Sequence, residues 1–367
     1  MPIVAHSSLP TYDELRRRGE HILPLDEALK QDIRALHVGL LNMMPDAALR
    51  VTEQQFIRLV GGANQIVQIY VHPFTVPGLA RSPETQAYID AHYESFEQLR
   101  AEGLDALVIS GANVSSPRLE MEPFWHPLHE VMDWAVEGVT SVLCSCLATH
   151  ALAQRYHGVS RRLMANKRWG VYPHRAVRPD HPLLHGTNTL FDVPHSRWND
   201  ISSAQLEQVG IQVLIESIEG DFHMGVSQDG FRTVFLQGHP EYDTTSLLKE
   251  YKREMARFAA GERPAIPPQP ENYLRPHAAR IAREHVEAVF AARDSGTEPP
   301  PFPEDALAPL LDNTWSDTGK VIFNNWLGLI YKLTDVERGV PFMRGVDPHD
   351  PLGRLSPIHL ESKENHA

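Results

Sequence analysis

Cysteine is scarce in this 367-residue chain, which has only Cys144 and Cys146. Residues two apart on a strand share a face but stand about 7 Å apart, beyond the reach of a normal disulfide. A disulfide scaffold is therefore excluded, and two reduced thiols point to a cytoplasmic protein. Positive charge is also in short supply: 34 Lys and Arg face 47 Asp and Glu, a formal charge of −13. Gripping nucleic acid or an anionic membrane would need a basic patch working against that field. The best candidate, Arg161 and Arg162 with Lys167 and Arg168, is too short for a nucleic-acid groove, so neither partner is expected. Long apolar runs are missing as well. The longest, from Val139 to Ala153, is broken by Ser145, Thr149 and His150, and Met1 to Tyr12 lacks a basic region followed by an apolar stretch. No membrane span or export signal is expected. With 42% hydrophobic and 22% charged residues, the composition is that of an ordinary globular protein.

What is present is an alternation of strand and helix patterns. Ala35 to Leu41 is a short apolar run halted by Met44-Pro45, and Thr52 to Val60 sets Phe56, Leu59 and Val60 on one helix face. Gln65 to Val71 and Leu104 to Gly111 read as strands, with helices over His92 to Glu102 and Phe124 to Val136. Thr140 to Ser145 is the next strand and Leu147 to Tyr156 the helix leaving it, closed by Gly158. Further strands are expected at Gln212 to Ser217, His223 to Ser227 and Thr233 to Gln237, then a helix from Thr245 to Phe258. Such alternation predicts an α/β fold, a mostly parallel sheet flanked by helices. Residues 1–34 read as an N-terminal arm with a short helix over Tyr12 to Gly19, and 35–260 as the catalytic body. Residues 261–313 form a Pro-rich excursion with one helix, Ala278 to Ala292, and 314–367 a C-terminal segment that packs back through Val321 to Thr334 and frays from Glu361 to Ala367.

The junction at Cys146 carries the chemistry. A cysteine where a strand turns sharply into a helix is exposed at the carboxyl edge of the sheet, and the helix N-terminus lowers its pKa and offers N–H groups to an oxyanion. The tight turn favours small residues two positions either side, here Cys144 and Ala148. Cys144 lies inside the strand and reads as a buried small hydrophobe. A thiolate needs a base, and the base an orienting group. Among 20 histidines, His239 follows the strand Val234-Phe235-Leu236-Gln237 and so reaches the same edge, where Glu241 can turn back onto its imidazole. That order suits cysteine-based acyl transfer.

On these residues the chain resembles the MetA-type homoserine O-succinyltransferases and O-acetyltransferases, whose fold is similar to class I glutamine amidotransferases. The matching stretches run in order: Leu41-Asn42-Met43-Met44-Pro45, Thr52 to Phe56, Ser110-Gly111-Ala112, Pro194-His195-Ser196-Arg197, Glu219-Gly220-Asp221, Gly238 to Asp243, and Asn325-Trp326-Leu327. The resemblance implies Cys146 as acyl-thioester nucleophile, His239 as proton acceptor and Glu241 as its partner, with Lys167, Ser196 and Arg253 contacting substrate. It implies Ser115 as the acyl-selecting position, where acetyl users typically carry glutamate and succinyl users glycine. Serine neither fills the pocket nor repels a distal carboxylate, which favours succinyl-CoA. The implied reaction is ping-pong transfer of succinyl from succinyl-CoA to L-homoserine for methionine biosynthesis. Acyl-CoA is then a co-substrate, no cofactor or metal is expected, and a homodimer is implied. Acetyl-CoA as donor, serine as acceptor, and a glutamine amidotransferase or γ-glutamyl hydrolase reaction are the alternatives. One departure stands out: Asp46 and Ala47 follow Pro45 where the family commonly has lysines.

Overall fold

The computed structural model describes residues 3–62 and 67–355. Eleven strands form one sheet: β1 (Ile3–Ala5), β2 (Ile22–Pro24), β3 (Ala35–Met43), β4 (Gln68–Phe74), β5 (Ala106–Ala112), β6 (Ser141–Ser145), β7 (Arg162–Ala176), β8 (Leu190–Asp200), β9 (Gln212–Ser217), β10 (Phe222–Val226) and β11 (Thr233–Leu236), in the order β2-β1-β4-β3-β5-β6-β11-β10-β9-β7-β8. The strands from β2 through β11 in that order pair parallel, and β10, β9, β7 and β8 pair antiparallel beyond them. The expected α/β architecture with a mostly parallel sheet is what forms. Its central strands are apolar throughout because both faces are covered. Ala106 and Val108 enter one core layer and Leu107 and Ile109 the other, following the two-residue pleat.

The helices are α1 (Thr11–Arg17), α2 (Leu25–Ala28), α3 (Asp46–Gly61), α4 (Pro83–His92), α5 (Phe96–Glu102), α6 (Trp125–Gly138), α7 (Leu147–His157), α8 (Ser203–Gln208), α9 (Ser246–Ala259), α10 (Pro276–Ser295), α11 (Glu304–Leu307) and α12 (Ser316–Leu333). The helix expected over Thr52 to Val60 starts earlier, at Asp46, directly after the extended Pro45. The single helix expected over His92 to Glu102 is two. Ser95 breaks it by accepting the Gln98 N–H (3.1 Å), an N-cap that starts α5 afresh. Of the strand expected at Gln65 to Val71, Gln65 and Ile66 lie outside the described residues, and the strand runs on to Phe74. The frayed end expected from Glu361 to Ala367 also lies outside them.

The first 34 residues contribute β1 and β2 to the sheet edge, strands of three residues that are too short to show a period. The chain after Gly261 is tied down at Glu271, whose backbone bonds to Trp169 O (2.8 Å) and the Val171 N–H (2.9 Å). Gly170, at φ +155°, makes this possible, since a Cβ there would sit 2.2 Å from the Glu271 carbonyl oxygen. Helix α10 then packs Ala278, Ala282 and Val289 against Tyr251, Met255 and Phe258 of α9. Helix α12 buries Trp326 completely and sets its indole N–H on the Ser141 hydroxyl (2.8 Å), under β6.

Candidate active site

Register brings the carboxyl ends of the central strands together. Ile109 of β5 is level with Cys144 of β6, and Ser145 with Leu236 of β11. Cys146 follows at once, with φ +51° and ψ −105°, a left-handed backbone that non-glycine residues adopt only when the surroundings impose it. The surroundings do so. Its N–H donates to the Leu236 carbonyl (2.8 Å), and the Thr149 hydroxyl holds the carbonyls of Cys144 (3.0 Å) and Leu236 (2.8 Å). Helix α7 begins at the next residue, so its first N–H groups are left without partners inside the helix. Gly111 approaches from β5, where a Cβ would lie 3.7 Å from that of Cys146 and 3.6 Å from the Met44 sulfur. Cys144, as expected, is fully buried, and burial pushes its thiol up.

His239 is reached from β11 through Gly238, a position without room for a Cβ, which would meet Val193 Cγ1 at 2.4 Å. The His239 N–H donates to the Pro194 carbonyl of β8 (2.9 Å). Its Nδ1 bonds to Glu241 Oε1 (2.8 Å), and Cys146 lies within electrostatic reach of the ring. Burial works against a charged imidazole here, but the Glu241 carboxylate and the Cys146 sulfur outweigh it and hold His239 above its ordinary value. Arg58 of α3 braces the turn by donating to the Glu241 carbonyl (3.0 Å) and pairing with Asp243. Thus Cys146, His239 and Glu241 gather at one edge of the sheet, with His239 and Glu241 hydrogen-bonded.

Beside it lies a polar cluster centred on Glu250 of α9, a residue the sequence reading passed over. Glu250 accepts from Ser196 Oγ (2.6 Å) and Tyr242 OH (2.9 Å) and pairs with Lys167 Nζ (3.2 Å). Burial alone would raise its carboxyl, yet Lys167 and the two hydroxyls hold it below the ordinary value. Tyr242 stacks on the His239 ring (centroids 4.4 Å, planes 16° apart), which joins the cluster to the catalytic line. Lys167 and Ser196 therefore meet on one carboxylate. Arg253 stands apart from them, exposed and beside Glu254 (3.7 Å), but three residues from Glu250 and so on the same side of the helix.

Ser115 lies in the loop after β5, with both of its donors already engaged. Glu122, buried, accepts the N–H groups of Ser115 (2.7 Å) and Ser116 (2.6 Å) and the Ser115 hydroxyl (3.2 Å). The Ser115 hydroxyl is spent on holding its own loop. Arg161 grips the same loop from the other side at the carbonyls of Ser116 and Pro117 (both 3.3 Å), and its Nε is buried without a partner. Burial depresses its charge while Glu122 and Cys146, both within electrostatic reach, sustain it. Near the other wall, Arg81 donates to the Met44 carbonyl (2.5 Å) beside Asp46 (3.5 Å), and its Nε and Nη2 are buried without partners. A cation thus reaches the Pro45 loop through space, where Asp46 and Ala47 supply none.

Comparison with known proteins places the chain in a family. Solved structures that resemble the chain include a glutamine amidotransferase from Methylobacillus flagellatus (TM-score 0.43, 11% identity, 85% of this chain and 97% of that one) and another from Thermotoga maritima (TM-score 0.42, 11% identity, 80% and 97%). The family model described as homoserine O-succinyltransferase matches residues 2–336. Homoserine O-succinyltransferases of Allochromatium vinosum and Methylobacter tundripaludum are each 58% identical over 353 residues, covering 96% of this chain and 99% and 100% of theirs. The chain belongs to the homoserine O-succinyltransferase family.

Proposed function

We propose that this protein transfers a succinyl group from succinyl-CoA to the hydroxyl of L-homoserine through a thioester on Cys146. The observation that carries the reading is the Cys146–His239–Glu241 line set beside the Lys167, Ser196, Tyr242 and Glu250 cluster in a chain of this family. The Cys146 thiolate attacks the thioester carbonyl, and the tetrahedral oxyanion is met by N–H groups at the start of α7. The carbon–sulfur bond to CoA breaks, and CoA leaves as the thiol with the His239 proton. The homoserine hydroxyl then attacks the Cys146 thioester, gives its proton to His239, and releases the thiolate.

The acceptor is an amino acid and needs both of its charges held. Glu250 suits the ammonium group, with Ser196 and Lys167 fixing its carboxylate, and Arg253 one turn on suits the substrate carboxylate with its two-pronged donor. The donor's distal carboxylate needs a cation near the acyl pocket. Arg161 supports that role, because it holds the loop of Ser115 and lies within electrostatic reach of Cys146. Both thiols need a reducing compartment, which suits the cytoplasm, and acyl-CoA serves as co-substrate.

Intact-protein mass spectrometry after incubation with succinyl-CoA alone tests the reading. One succinyl group should appear on the native chain and none on Cys146→Ala, and homoserine should discharge it. A Cys146→Ala protein that turned over near the native rate would overturn the mechanism. Rates with succinyl-CoA and acetyl-CoA on L-homoserine and L-serine fix donor and acceptor.

A further inference from the structure

Away from the catalytic line, three side chains from separate segments converge on one point. His6 follows β1, His72 lies on β4, and Glu94 sits between α4 and α5. Each offers a ligand atom within 4.8 Å of the others. Glu94 Oε1 stands 2.7 Å from His72 Nδ1 and 3.9 Å from His6 Nε2. In a tetrahedral Zn²⁺ site, with bonds of about 2.0–2.2 Å, neighbouring ligand atoms stand roughly 3.4 Å apart. The two observed separations straddle that spacing, so small side-chain rotations would seat an ion.

The outer contacts prepare the nitrogens for such an ion. His6 Nδ1 lies 3.2 Å from the Val4 carbonyl, an acceptor that holds the proton on Nδ1 and leaves the Nε2 lone pair free. His72 Nε2 lies 2.9 Å from His37 Nδ1, which orients the ring so that Nδ1 faces Glu94. His6 Nε2 is buried without a hydrogen-bond partner, and in that tautomer its lone pair points toward a carboxylate. Two acceptors facing each other call for a cation between them. Neutral imidazole and ionised carboxylate are the forms that bind metal.

We propose that His6, His72 and Glu94 form a binding site for a divalent transition-metal cation, with Zn²⁺ the ion their chemistry fits, fastening the N-terminal arm to β4. Two imidazoles and one carboxylate match the borderline character of Zn²⁺, with water completing the shell. The role is structural: the ion would bind the folded chain only, so stability should rise with its concentration.

The test uses the full chain carrying Cys146→Ala, so that the reactive thiol cannot take up metal, stripped with a chelator and dialysed. Titration calorimetry with ZnCl₂ should give one ion per chain, and Tm should climb with added Zn²⁺. His6→Ala and Glu94→Gln, each confirmed as folded by circular dichroism, should weaken binding about tenfold or more. Replacing the exposed His21 with Ala should leave it unchanged. Absence of stoichiometric binding in the parent, or tight binding that survives in either His6→Ala or Glu94→Gln, overturns the proposal.

Discussion

The same type of side chain behaves in opposite ways in this protein according to what surrounds it. Burial pushes His174, His195 and His223 down, the first two stacked and His223 edge-on to both, whereas Glu241 and the Cys146 sulfur raise His239. The sign of the pH effect follows. In the free enzyme a raised His239 keeps its proton, ready for CoA to leave. Acylation removes the charge on sulfur, so one raising cause disappears and the pKa of His239 falls, which frees it to act as base. kcat/KM for homoserine should therefore rise with pH along a limb set by His239. Glu241→Gln removes the other raising cause, so that limb should move to lower pH while the plateau drops. A limb that stays put in the variant profile would remove Glu241 from this role. His239→Ala should cost roughly 10² to 10⁴ in rate. At the acyl end, Arg161→Gln should raise KM for succinyl-CoA while sparing acetyl-CoA, and the ratio of the two kcat/KM values measures it. Ser115→Ala loses one hydroxyl bond to Glu122 but keeps both backbone ones, so it should shift that ratio little.

At the scale of elements, the site depends on two strand ends and on the close approach of β8. Gly238 is where β11 passes β8 on the way to His239. A Cβ there would meet Val193 Cγ1 at 2.4 Å and His195 Cε1 at 2.9 Å, both on a strand in the middle of a paired hairpin. Gly238→Ala should destabilise by about 1–3 kcal/mol, the usual range for overpacking. It should also lower kcat by displacing His239. Urea unfolding beside steady-state kinetics checks both, and native values for both would show that β8 gives way freely. The helices are equally decisive. The α7 N-terminus, closed by Gly158 in the left-handed region eleven residues later, is local and legible in the chain. Helix α9 buries Leu247, Leu248, Tyr251, Met255 and Phe258, and one of its charged residues, Glu250, turns inward with them.

Across the whole molecule, the distant C-terminal helix supports the strand that carries the nucleophile. Trp326 of α12 is fully buried and donates to Ser141 at the start of β6 (2.8 Å). Trp326→Ala should cost roughly 3–5 kcal/mol as a large core deletion. Trp326→Phe should cost less, since Ser141 keeps its bond to the Phe231 carbonyl (2.7 Å). Equilibrium denaturation of the two variants separates packing from the hydrogen bond.

The sequence by itself determined the parallel α/β layout, because doubly covered strands must be apolar runs and the helices between them must be amphipathic. It also brought Cys146, His239 and Glu241 to one edge of the sheet. A cysteine at a strand-to-helix junction and a carboxylate two residues past a histidine are relations over a few bonds, and local backbone geometry nearly fixes them. Tertiary structure alone decided the rest. Lys167 and Ser196 meet Glu250 across 83 and 54 residues of chain, Arg81 reaches the loop after Met44 from 37 residues away, and Glu122 claims Ser115. The β7–β8 hairpin gave no sequence signal, since the start of β7, Arg162 to Lys167, has no apolar–polar alternation and is largely exposed. Charges that pair over such distances have no period along the chain. Their partners are set by sheet register and by the desolvation that leaves a buried carboxylate nowhere else to turn.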